Sequence, residues 1–116
     1  MVLVLSTRRG VVRAFATAAE AVTHCPGIDV EDGAWRFFAD DGSPLEARFQ
    51  RPNRREPPFV VNGTYRLERA LSGLWLQERL DEARSVEGCG LSTVAQLAEL
   101  LKINRGKRVA PPVRRK

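Results

Sequence analysis

His24 and Cys25 are neighbours, and Pro26 follows them. A thiol beside an imidazole is the pair a cysteine nucleophile needs: the ring takes the proton and the thiolate attacks. Consecutive residues on a helix point roughly 100° apart, so this pair does not face one another. His24 is also the chain's one histidine, which leaves no second imidazole for acid–base work. The expected outcome is a buried Cys25 and a surface His24, without catalysis.

Other chemistries fail on ligand supply. A zinc site takes about four soft ligands at close spacing; His24, Cys25 and Cys89 offer three, scattered. The acidic clusters Asp29/Glu31/Asp32 and Asp40/Asp41 lie beside Gly33 and Gly42. Setting either glycine at the sixth position of a calcium loop puts Ile28 or Phe37 at the first ligand position and Val30 or Ala39 at the third, where oxygen donors are needed. These clusters read as turns with solvated charge. Gly88-x-Gly90 lacks the third glycine of a phosphate-cradling loop, and no carboxylate pair stands out for glycoside chemistry. No enzyme, metal or cofactor is expected. Two cysteines far apart in sequence read as free thiols.

Charge is distributed unevenly. Residues 1–103 carry 13 Lys and Arg against all 14 Asp and Glu, while residues 104–116 add six cations and no acid. Arg105, Lys107, Arg108, Arg114, Arg115 and Lys116 therefore form a basic, proline-containing segment, expected to be a flexible tail on a single domain spanning 1–103. Such a segment attracts nucleic acid by releasing counterions, without reading sequence, with a log–log salt slope of at most roughly −5 if all six engage. Arg51, Arg54 and Arg55 extend that surface if the loop bearing them folds back. The competing reading is a solvated tail that binds nothing.

The stretch LAELLKINRGKRV resembles the core of the helix-turn-helix family, with Ala98 packing in the first helix and Ile103 in the turn. The resemblance implies a recognition helix beyond Ile103. Lys102 stands where the family has its turn glycine, Val109 comes one position late, and Pro111-Pro112 cuts the second helix to one turn. A helix that short does not lay several side chains along a major groove. Near the start, Thr7-Arg8-Arg9-Gly10 loosely resembles a twin-arginine export signal. Glu20 and His24 interrupt the apolar region such a signal requires. No apolar run reaches the roughly 18–20 residues of a membrane span, and a cytoplasmic, bacterial-type protein is expected.

The elements that position these residues follow from periodicity. Val2–Leu5 and Val11–Ala16 form a hairpin. Thr17 and Glu20 fit a capping box for a short helix that Pro26-Gly27 ends. Residues 34–39 and 45–49 make an antiparallel hairpin around Asp40-Asp41-Gly42-Ser43-Pro44, and Leu45, Ala47 and Phe49 alternate with Glu46 and Arg48. Phe59–Leu67 returns to the sheet, with Asn62-Gly63 as a turn or bulge. Ser72–Arg84 is a helix or, alternatively, a hairpin. Thr93 caps a last helix that ends near Ile103-Asn104, with Val94, Leu97, Ala98 and Leu101 as its buried stripe. The order β-β-α-β-β-β-α-α gives an α+β domain: an antiparallel sheet of four to five strands built from hairpins, with about three helices mainly on one face.

That architecture leaves one sheet face bare. Trp35 and Phe37 point one way and Phe38 the other, so Trp35, Phe37 and Phe38 are the expected protein interface or dimer surface. The composite expectation is a small non-enzymatic interaction domain. The alternative is a nonspecific nucleic-acid-associated protein working through its basic tail.

Overall fold

The computed structural model describes residues 1–109. Strands β1 (Val2–Ser6) and β2 (Val11–Phe15) form the expected antiparallel hairpin. Helix α1 (Ala18–His24) starts on Thr17, whose hydroxyl accepts from the Glu20 amide at 3.2 Å. Pro26 ends it and at once caps a second short helix, α2 (Gly27–Glu31), which sequence reading passed over. Strands β3 (Trp35–Ala39) and β4 (Pro44–Arg51) pair antiparallel around the Asp40–Ser43 turn. In that turn the Asp41 carboxylate is buried and accepts from the Ser43 amide and hydroxyl.

The next segment departs from expectation. Phe59–Leu67 does not return as one strand. Strands β5 (Arg54–Glu56) and β6 (Phe59–Val61) pair with each other in a separate two-stranded ribbon, and only β7 (Thr64–Arg69) rejoins the main sheet, beside β4. Asn62-Gly63 is the joint between them, opposite a register shift in β4 between Phe49 and Arg51. Gly63 is required there, because a Cβ would run into the Arg51 carbonyl and Pro52. Beyond β7 the chain forms a 3-10 helix (Leu76–Glu82), so the helical reading of residues 72–84 holds over a shorter span and in a tighter form.

The sheet corrects the expectation further. It has six strands in the order β7-β4-β3-β1-β2-β8, where β8 is Ser85–Glu87. The β2–β8 pair is parallel, so the sheet is mixed and the all-antiparallel reading fails at that edge. No local pattern announces β8, because three residues hold no period and its partner lies some seventy positions upstream. Gly88 ends the strand at positive φ, against the Ala14 carbonyl, where a side chain has no room.

Helix α3 (Val94–Val109) opens on a reciprocal cap. Thr93 Oγ1 accepts from the Gln96 amide at 3.1 Å, and Gln96 Oε1 accepts from the Thr93 amide at 3.2 Å. It runs on past Ile103-Asn104 as one uninterrupted helix, so the turn of a helix-turn-helix does not form.

Helices cover both faces. On one face Leu97 and Leu101 of α3 and Leu76 of the 3-10 helix pack on Leu3, Leu5, Val12, Ala14, Phe38 and Val86. On the other face Ala21 of α1 and Cys25 at its C-terminal end pack with Val2, Val4, Phe37 and Tyr65. The period-2 alternation of β1 feeds the two cores alternately, which is why an all-apolar strand is needed there.

Candidate functional site

The β5–β6 ribbon is built by a two-residue reversal. Glu56 pairs with Phe59 across Pro57-Pro58, joined by a cis bond, and Arg55 pairs with Val60 and Arg54 with Val61. Paired residues in such a ribbon share a face. One face therefore carries Arg54, Glu56, Phe59 and Val61, and the other carries Arg55 and Val60. Arg55 reaches back to α2, with Nη2 at 2.7 Å from Asp32 and 3.4 Å from Glu31. The acidic cluster that looked like solvated turn charge is thus the dock for the ribbon.

Two asparagines fix its base. Asn53 Nδ2 donates to the Gly27 carbonyl at 3.0 Å while its Oδ1 accepts from the Gly63 amide at 2.7 Å. Asn62 Oδ1 accepts from the Ile28 amide. Anchored at its root and along one face, the ribbon presents the other to solvent. On that face Phe59 and Val61 remain 71% and 52% exposed, and Val60, on the Arg55 face, is 63% exposed as well. Three consecutive exposed apolar residues on a strand with an unpaired edge are what soluble proteins usually avoid.

The residues singled out from sequence fall elsewhere. Phe37 and Phe38 are buried, Phe38 at 2% exposure, one in each core. The expected bare face is covered within the monomer, because α1 and α2 sit on the side opposite α3. Trp35 is half-buried and meets His24 edge-on, ring centroids 5.7 Å apart. Beyond the pairs Phe37–Leu45 and Phe38–Pro44, β3 and β4 diverge. A groove of about 360 Å³ opens there, lined in part by Trp35, Ala47 and Phe49.

Cys25 and Cys89 are free, the first buried and the second exposed. Burial pushes the Cys25 thiol up to about 12, against the pull of Arg13, with Asp29 adding to the rise. A thiol held neutral in this way is a packing group and a poor nucleophile. Its carbonyl accepts from the Tyr65 hydroxyl at 2.6 Å.

Of the basic residues assigned to the tail, Arg105, Lys107 and Arg108 lie on the last turns of α3. The Arg105 guanidinium stacks 4.7 Å over the Trp75 ring. Arg114, Arg115 and Lys116 fall outside the described residues. Among the described residues no group of three or more His, Cys, Asp or Glu could hold a metal ion, and no helix is long and apolar enough to cross a membrane.

Comparison with protein-family models, with curated proteins and with solved structures finds no match.

Proposed function

We propose that the chain is a small interaction domain that associates with a second copy of itself through the free face of the β5–β6 ribbon. The observation that carries this reading is the pair Phe59 and Val61, 71% and 52% exposed on the ribbon face opposite the Arg55 tether. The free face is also self-complementary. Arg54 and Glu56 sit two residues apart beside Val61 and Phe59. A two-fold axis through the patch sets each Arg54 against the Glu56 of the other copy, as an isologous contact requires.

The magnitudes set the strength. Burying a Phe or Val side chain completely is worth about 1.5–3 kcal/mol, and association costs about 4–15 kcal/mol in lost freedom. Two side chains from each copy roughly match that cost. The face also has only Arg54, Glu56, Phe59 and Val61, against the roughly 20–30 residues a side of a standard stable complex. The dimer is therefore weak and concentration-dependent.

Sedimentation velocity across a concentration series tests it. The native chain should shift from monomer towards dimer in the high micromolar range. Phe59→Asp should remain monomeric while keeping its circular dichroism. The charge pair separates this surface from a generic sticky patch: Arg54→Glu should weaken the dimer, and Arg54→Glu with Glu56→Arg should restore it. A native chain that stays monomeric throughout would remove the reading.

A further inference from the structure

The face of the sheet under α1 is not covered to its end. Helix α1 has seven residues and ends at His24, which packs on Phe15 and Arg13 of β2, and the edge strand beyond β2 is β8. The uncovered corner is a cavity of about 410 Å³, walled by the β1–β2 turn, His24 and the start of β3. Register explains who lines it. Arg13 of β2 stands opposite Glu87 of β8, and Ser6 of β1 stands opposite Trp35 of β3, all on this face.

Three arginines, Arg8, Arg9 and Arg13, line this cavity. Arg13 is held in place: Nη2 lies 2.6 Å from Glu87, and Nη1 donates to His24 Nε2 at 3.1 Å. The His24 ring is itself wedged between Phe15, at 5.2 Å, and Trp35. Those two contacts leave other donors of the guanidinium unspent. Arg8 and Arg9 extend from the turn, both exposed, and among the described residues neither has a carboxylate within salt-bridge distance. Asp29 and Glu87 are the acids of the lining, and Glu87 is committed to Arg13. The Trp35 indole N–H is buried and has no acceptor among the described residues. A desolvated donor left unpaired costs about 1–3 kcal/mol.

From this geometry we infer that the corner binds a phosphate monoester. Guanidinium forks recognise phosphate and carboxylate alike. Three of them lining one cavity outnumber the two oxygens of a carboxylate and suit the three terminal oxygens of a phosphate. The cavity is larger than the anion alone needs, and Val11, Ala34 and Trp35 give it an apolar wall for the ester's organic part. The same chemistry is presented by a free nucleotide and by the terminal phosphate of a nucleic-acid strand.

The test is a titration followed by ¹H–¹⁵N correlation spectra. The chain has two tryptophans, so Trp75→Phe assigns the Trp35 indole signal. The probes are a nucleoside 5′-monophosphate, the unphosphorylated nucleoside, inorganic phosphate, and a short oligonucleotide with and without a 5′-phosphate. The Trp35 signal should move saturably with the monophosphate or with the phosphorylated oligonucleotide. A response to the monophosphate identifies a free ester, and a response to the oligonucleotide alone identifies a strand end. Arg8→Ala and Arg9→Ala should each weaken binding by roughly tenfold, the loss of one charge-assisted hydrogen bond, with the thermal midpoint unchanged. Silence with every phosphate probe would overturn the inference. Equal response to the nucleoside, equal affinity for inorganic phosphate, or unaltered binding in both arginine variants would do the same.

Discussion

Trp35–Phe38 and Phe59–Val61 are both apolar strand segments dense in aromatic or β-branched residues, and they meet opposite fates. The first is third from one edge of a six-stranded sheet with a helix layer on each face. The second is half of a ribbon that nothing covers on one side. Composition does not separate them. What separates them is the helices: α1 and α2 on one face and α3 with the 3-10 helix on the other bury Phe37 and Phe38, while α2 only holds the ribbon's root and leaves β6 bare. An apolar strand is buried by what the rest of the chain can bring to its faces, so the exposed one is where a second molecule has something to add.

The largest effect expected follows directly. Phe38→Ala removes a ring from a packed core and should cost about 3–5 kcal/mol of unfolding free energy. Phe59→Ala should stay within about 0.5 kcal/mol, as for a surface position. Urea denaturation at low protein concentration, where the chain is monomeric, compares the two. Similar losses at both sites would mean that the ribbon packs against the body in solution.

Much of the fold was legible because its signals are local. The Thr17 and Thr93 caps, the Asp40–Ser43 turn and the alternation in residues 45–49 each need only neighbouring residues to be read, and each appears where expected. What escaped depends on distant partners. Strand β8 exists because Val12 and Val86 find each other across the chain. The 3-10 helix is fastened to the Asp40–Ser43 turn, where Leu76 donates to the Gly42 carbonyl and Gln77 to the Asp41 carbonyl. The ribbon escaped for a subtler reason. Phe59-Val60-Val61 reads as a sheet strand on its own merits, and only the joint at Gly63 diverts it. The Arg13–His24–Trp35 corner had no sequence signal, since its members come from three elements.

A second comparison lies in the thiols, one under the α1 layer and one on an exposed loop. In native protein near pH 8 a disulfide reagent should label one thiol per chain, Cys89, and in denaturant two. The raised Cys25 value also makes stability depend on pH with a definite sign. Below its ordinary value of 9.0 the thiol is neutral in both states, and its contribution is fully present. Above that pH the unfolded thiol ionises first, so stability is lost progressively up to about 12. Tyr65 is raised as well, by burial and then by Cys25, and erodes stability in the same direction. Cys25→Ala should flatten part of that alkaline decline in a denaturation series, and an unchanged slope would place the thiol outside the packed layer.

The smallest effect concerns the tether between the two regions. Arg55 joins the ribbon to α2 through Asp32 and Glu31, all of them solvent-facing, and exposed ion pairs contribute little to global stability. Arg55→Ala should therefore leave the denaturation midpoint within the scatter of repeat measurements. Its effect should be local: faster hydrogen exchange at the amides of β5 and β6 with β4 and β7 unchanged, reproduced in the native chain by high salt, which screens the same pair. A ribbon equally protected with and without Arg55 would show that Asn53 and Asn62 hold it alone, and the tied-down face would then be as available to a partner as the free one.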